Sequence, residues 1–289
     1  MKRVSLLILT NFAIMAILLV VCMLLGVDKY LTEAGLNLPM LLIFSAILGF
    51  GGSLISLLLS KTMAKSAMKV RIIDRPTNET EEFLYQTISK LAQEARIGMP
   101  EVGIYEGEAN AFATGARRDA ALVAVSTGLL RSMNKDEVEA VLGHEIAHVA
   151  NGDMITLTLI QGVLNTFVFF LARVLGFVVD KIVFRNERGT GIAYYITVIA
   201  AQLVLGILAS VIVAYFSRRR EYRADAGSAK YLGQPNTMIS ALQRLGNMKT
   251  EALPDSMKAS GIAGGKLSFL FSTHPRLEAR IDALKNFRG

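Results

Sequence analysis

His144-Glu145-Ile146-Ala147-His148 sets two imidazoles four residues apart with a carboxylate beside the first. On a helix, residues four apart share a face, so both rings can address one metal ion while Glu145 is rotated off that axis toward water. This is the pattern of a zinc site with its own general base, and the chemistry it implies is peptide hydrolysis. The chain has three histidines, and two of them stand here at the required spacing. Catalytic zinc takes three protein ligands and keeps a fourth position open, so a further donor is needed. His274, Asp153 and Glu221 are the candidates.

Glu221-Tyr222-Arg223-Ala224-Asp225 favours Glu221. Glu221 and Asp225 share a helical face, so one can ligate while the other accepts the free ring N–H of a ligating histidine and fixes its tautomer. Asp153 follows the end of the motif helix and is expected to support the site from behind the ligands. His274 is the one histidine outside the motif; it can donate to a developing oxyanion, or it can merely open a helix before Pro275. Asn110, Ala111 and Phe112 begin a short β-prone run, 110–114, that reads either as a strand to which an extended substrate adds by main-chain hydrogen bonds or as a structural edge strand. The glycine-bearing stretch 253–268 reads as a surface loop, with a mobile flap as the alternative.

These groups need elements to position them. Asn134 with Glu137 three residues on forms a capping box, opening a helix that carries the metal motif and stops near Asn151-Gly152. Lys135, Asp136, Glu137 and Glu139 make its start amphipathic, which predicts a helix at a membrane surface and argues against cleavage inside the bilayer. Asn78 with Glu81 predicts a second capping box, and Leu84, Ile88, Leu91 and Ala95 continue that helix until Gly98 and Pro100. Residues 102–105, 111–114 and 122–125 read as strands of a small sheet.

The rest of the chain is apolar. With 52% hydrophobic residues in 289, it exceeds an ordinary soluble domain. Residues 4–27 and 40–59 carry no charge, and each is long enough to cross a hydrocarbon core of about 30 Å. Residues 154–179, interrupted by Gln161, Asn165 and Arg173, and residues 192–216 predict two more spans. The basic start with no small-x-small cleavage site after it predicts a retained signal anchor. The single cysteine, Cys22, lies in the first apolar run, so an intramolecular disulfide is excluded and structural zinc held by thiolates is disfavoured.

The formal charge of +7 sits mainly beside span ends, at Lys2, Arg3, Lys61, Lys65, Lys69, Arg71 and Arg218 to Arg220. That is the positive-inside pattern; it implies a lipid bilayer as partner, not nucleic acid, and places both termini in the cytoplasm. The expected organisation is a pair of N-terminal spans (1–60), a first part of a cytosolic catalytic domain (61–153), a transmembrane hairpin (154–216) and a second part (217–289). The hairpin returns both motif helices to one side of the membrane, as joint coordination requires.

The paired N-terminal spans, Asn110-Ala111-Phe112-Ala113-Thr114-Gly115, residues 144–153, residues 217–225 and Thr273-His274-Pro275 resemble the HtpX family of bacterial membrane zinc metalloproteases, relatives of the CaaX prenyl proteases. The resemblance covers nearly the whole length. It implies a mostly α membrane protein of four transmembrane helices with a gluzincin-like α+β zinc protease domain, split by the hairpin. It also implies one Zn²⁺ per chain on His144, His148 and Glu221, with Glu145 as catalytic base. The family role it implies is turnover of damaged membrane proteins in the bacterial inner membrane under stress, with possible partners among other membrane proteases.

Overall fold

The structure is a computed structural model describing residues 37–187, 189–251 and 272–287. In chain order it contains α1 (Leu38–Ala67), β1 (Arg71–Ile72), α2 (Glu79–Ala95), β2 (Glu101–Tyr105), β3 (Ala111–Thr114), β4 (Leu122–Ser126), α3 (Thr127–Ser132) and α4 (Lys135–Asn151). There follow α5 (Asp153–Val178), α6 (Ile192–Tyr231), α7 (Asn236–Glu251) and α8 (Leu277–Lys285). The described residues fall into two compact units, one from within Met1–Ser56 and Thr156–Val213, the other from within Leu57–Ile155 and Ala214–Gly289.

In the first unit, the apolar composition produces long helices because hydrocarbon offers the backbone no other hydrogen-bond partner. Among the described residues, three helices are long and apolar enough to cross a membrane: Leu38–Ala67, Asp153–Val183, whose last five residues form a π-helical turn, and Ile192–Tyr231. The span expected over 4–27 lies outside the described residues. The polar residues that interrupt the pattern are absorbed locally. Ser53 and Thr166 return their hydroxyls to the carbonyls of Gly49 and Gly162, at 2.9 and 2.8 Å, and Gln161 donates to Asn165 at 3.0 Å. Arg173 donates to the Phe169 carbonyl at 3.1 Å and lies over the Phe169 ring. A Cβ on Gly49 would stand 2.5 Å from the Thr166 nitrogen, so the close approach of α1 and α5 depends on small residues.

The second unit is built on a four-stranded sheet of order β1-β2-β4-β3. β2 and β4 run parallel, and β1 and β3 flank them antiparallel. β4 is buried along its whole length. Val102, Val123 and Val125 on one face meet Leu84, Ile88 and Leu91 of α2 and Leu142 and Ile146 of α4. The other face carries Tyr105, Leu122 and Ala124, with the Phe112 ring packed against Tyr105 at 5.5 Å between centroids. Burying a leucine or isoleucine contributes about 1.5–3 kcal/mol and a helix cap about 1 kcal/mol, so packing against the sheet, more than capping, holds α2 in place.

α4 opens as its cap predicts and is a core element of the second unit. Its capping box is present in full, and Ala140, Leu142, Ile146 and Ala147 are completely buried. Of the charges at its start, Lys135 and Asp136 stay exposed, while Glu137 accepts from Ser240 at 2.8 Å and Glu139 pairs with Lys90 at 3.0 Å. The cap of α2 differs from its reading. Asn78 accepts from the Glu81 nitrogen, but the Glu81 carboxylate reaches the nitrogen and hydroxyl of Thr77, both at 2.8 Å, and Arg71 at 2.7 Å.

The Thr77 backbone and hydroxyl hydrogen bonds, then Arg71, bring the Glu81 pKa from 4.5 down to about 2. A carboxylate with a depressed folded pKa stabilises above its unfolded value and loses that contribution as pH falls through the folded one. Glu81→Gln is therefore expected to lower the thermal midpoint of the detergent-solubilised protein at neutral pH, with the gap to wild type closing between pH 4.5 and about 2. An equal gap across that range would show that the carboxylate's charge is not what stabilises.

Candidate active site

α4 presents His144 and His148 one turn apart, and α6 supplies the third donor. The apolar run of α6 ends at Phe216, but the helix continues unbroken to Tyr231 and lies against α4. The crossing is close because its residues are small. A Cβ on Gly227 would stand 2.6 Å from the Ala147 Cβ, one on Gly143 would stand 2.8 Å from the Ser228 hydroxyl, and Ser228 donates to the Ala140 carbonyl at 2.7 Å. Glu221 is thereby carried to the histidines.

Nε2 of His144 and Nε2 of His148 are 3.1 Å apart; Glu221 Oε2 is 3.5 Å from the first, and Oε1 is 3.4 Å from the second. A tetrahedral ion with bonds of about 2.0–2.1 Å separates its ligand atoms by about 3.3 Å, so this triangle has the size of a metal site. The group can hold one ion, and all three residues are buried. Both Nδ1 atoms face away. His144 Nδ1 lies 2.9 Å from Asp225 Oδ1, and His148 Nδ1 lies 2.7 Å from Asp153 Oδ2. A proton on each Nδ1, donated to its carboxylate, leaves each Nε2 lone pair directed at the common point.

The carboxylates are held in turn. Arg280 makes a two-pronged contact with Asp225, Nε to Oδ2 at 2.7 Å and Nη2 to Oδ1 at 2.6 Å, and its Nη1 lies 3.5 Å from Glu221. Arg223 lies 3.4 Å from Asp153 Oδ1, and Arg220 donates to the Asp153 carbonyl at 3.4 Å. Sequence reasoning missed these arginines. Arg220 reads as one of the cations beside a span end, Arg223 stands within the Glu221–Asp225 stretch with no role of its own, and Arg280 sits in a short amphipathic helix with no motif spacing to single it out.

Within His144 to His148, Glu145 alone is partly open to solvent. His274 lies at the same centre, its Nδ1 2.8 Å from Glu221 Oε2 and its side chain largely exposed. β3 is an edge strand, with no partner on its outer side among the described residues. Asn110 anchors its start, donating its N–H to Ser126 Oγ and accepting from the Ser126 nitrogen, both at 2.9 Å. The Phe112 ring turns to the Tyr105 side of the sheet, away from the face that meets α4, so only its main chain is available along the edge. The stretch 253–268 lies outside the described residues.

In the metal-free chain, burial opposes a charge on His144, but hydrogen bonds to Asp225 and Glu221 outweigh it and raise the pKa to about 9. His148 is raised likewise: burial opposes, while Asp153 and Glu221 prevail. Burial also disfavours ionised Glu221, yet hydrogen bonds from His144, His148 and His274 hold it far below the usual carboxylate range.

A helix-borne histidine pair with a glutamate from a second helix, beside a small sheet with an open edge, is the site of a metallopeptidase. Residues 78–288 match the profile described as peptidase family M48, and the chain belongs to that family. It is 60% identical to "Protease HtpX homolog" of Janthinobacterium sp. (strain Marseille), with 100% of both chains covered. It is 58% identical to the protein of the same name from Bordetella pertussis, over 100% of this chain and 99% of the relative. Its fold resembles the crystal structure of S. mikatae Ste24p, with a TM-score of 0.62 at 21% identity, over 98% of this chain and 67% of that one. With its apolar helices, the chain is an HtpX-like membrane metalloprotease.

Two outcomes follow from the geometry. Gly227→Ala should reduce bound metal and destabilise by about 1–3 kcal/mol through overpacking, and adding Ala147→Gly, which removes the opposing Cβ, should restore both. Metal affinity measured by chelator competition should rise with pH up to about 9, because the ion must displace the His144 proton.

Proposed function

We propose that the chain is an integral-membrane zinc endopeptidase that cleaves misfolded or damaged membrane proteins at the cytoplasmic side of the bacterial inner membrane. The observation that carries this reading is the triangle of His144, His148 and Glu221 at tetrahedral spacing, with Glu145 open beside it. Zinc is the expected occupant, since a two-histidine, one-carboxylate donor set suits a catalytic zinc with an open position. When bound there, it supplies Lewis acidity toward water and the substrate carbonyl.

The chain's own residues do the rest. Glu145 takes a proton from the attacking water and returns it to the leaving amine. Asp225 and Asp153 hold the two histidines in the tautomer that leaves Nε2 free. His274, exposed on the open side of Glu221, donates to the carbonyl oxygen as it gains charge. The outer edge of β3, from Asn110 through Ala111 and Phe112, receives the substrate as an added strand. Main-chain recognition reads little sequence, which suits a quality-control protease acting on many unfolded chains. Lys61, Lys65 and residues 218–220 beside the apolar runs support a cytoplasmic catalytic side by the positive-inside rule. Membership of the HtpX group supports a stress-related role alongside other membrane proteases, without nucleic-acid binding.

Cleavage of casein by the detergent-purified chain with added zinc tests this reading. Wild type should cut, Glu145→Gln should keep its zinc and lose at least about 100-fold in rate, and Glu221→Ala should lose zinc. Undiminished cutting by Glu145→Gln would end the mechanism. A panel of unrelated unfolded membrane proteins should all be cut; cleavage of one alone would replace quality control by a narrow processing role.

A further inference from the structure

We propose that the turn at residues 116–120, just beyond the edge strand, is a binding site for anionic phospholipid headgroups, with Arg117 and Arg118 as the residues that hold the phosphate. The turn is fixed at two places where the chain becomes apolar. Lys61, near the end of the apolar run of α1, donates from Nζ to the Ala120 carbonyl at 2.9 Å. The Arg118 guanidinium packs against Gly152, where a Cβ would stand 3.4 Å from its Nη2, and the apolar run of α5 begins two residues later at Met154. Residues of the turn line a small cleft together with Met154 and Ile155. Two independent contacts thus set the turn where water meets hydrocarbon. α6 marks the same kind of boundary: Tyr215 and Phe216 are exposed, and Arg219 lies over the Tyr215 ring at 5.5 Å, an interfacial aromatic with its cation.

The charge at the turn is uncompensated. Arg117 and Arg118 are exposed, and among the described residues their guanidinium groups have neither a hydrogen bond nor an ion pair. The adjacent carboxylate of Asp119 is turned aside, accepting from the Gly98 nitrogen at 2.9 Å. By contrast, Lys61 and Lys65 are neutralised by Glu101. Guanidinium groups bind phosphate by paired hydrogen bonds, and the apolar side chains of Met154 and Ile155 suit the first carbons of an acyl chain. An acidic side chain of a substrate would satisfy the arginines alone; a phospholipid satisfies the cations and the apolar floor together.

The consequence concerns substrate delivery. β3 runs into this turn through Gly115, whose φ of 132° redirects the chain. The Thr114 end of the substrate-accepting edge is therefore moored in the headgroup layer, and a polypeptide leaving the bilayer meets the strand at that end first. This inference rests on the reading that the apolar helices span the bilayer.

The chain contains no tryptophan, so Ala120→Trp introduces a single reporter on the exposed turn. In reconstituted bilayers its fluorescence should be quenched by lipids brominated near the headgroup end of the acyl chain. In mixed phosphatidylglycerol and phosphatidylcholine, the purified protein should retain phosphatidylglycerol preferentially. Arg117→Gln and Arg118→Gln should each cut that preference about five-fold. A tryptophan that only aqueous quenchers reach, or a lipid preference that both substitutions leave intact, overturns the site. If the substitutions instead alter cleavage of acidic against neutral peptides while lipid retention is unchanged, the arginines serve the substrate and the proposal fails. Release of the protein by alkaline carbonate would instead show that the spanning reading has failed.

Discussion

A buried carboxylate facing two buried imidazoles is the arrangement on which the rest of this structure depends. Glu221 is 1% exposed, and an isolated ion so placed costs several kcal/mol. It is tolerable because His144, His148 and His274 surround it and Arg280 approaches from behind. Each further layer answers the one before. The histidines need carboxylates to fix their tautomers; Asp225 and Asp153 supply them, and being buried themselves, they need Arg280 and Arg223. The result is two parallel chains of histidine, aspartate and arginine converging on one point.

That convergence constrains the backbone. Glu221 must reach α4 from a helix that is apolar for most of its length, so α6 serves as a span at one end and as a ligand carrier at the other. The helices approach closely enough only because Gly143, Ala147, Gly227 and Ser228 occupy the crossing. The sheet is constrained as well. With β4 inside the sheet and buried and β3 outermost, the strand leading from Asn110 keeps one edge free of other strands among the described residues, beside the metal helix. A sheet order with β3 inside would give the same core and leave no edge for a substrate.

The local parts of this architecture were legible in the chain. The strand at 111–114, the capping box at Asn134 and the end of the motif helix at Gly152 follow from turn chemistry and short-range periodicity, and the structure agrees at each; at Asn78 it agrees on the N-cap, though not on the reciprocal bond from Glu81. Glu221 was singled out only because Asp225 repeats its helical face. What failed to show was long-range. Glu137 takes a hydrogen bond from Ser240 of α7 and Glu139 pairs with Lys90 of α2, and sequence spacing carries no record of such partners. β1, two residues long, has too little pattern to be read at all.

The sequence by itself determined that two imidazoles and a carboxylate share one helix, that the chain is built for a membrane, and that an acidic pair, Glu221 and Asp225, stands on one face of another helix. These are consequences of helical periodicity and of hydrophobic run length, which act over a few residues or along one segment. Only the tertiary structure decided that His144 would meet Asp225, 81 residues away, that Arg280 would close behind it, and that His274 would stand at Glu221. Those meetings depend on how closely two helices pack and on which side chains are small where they cross.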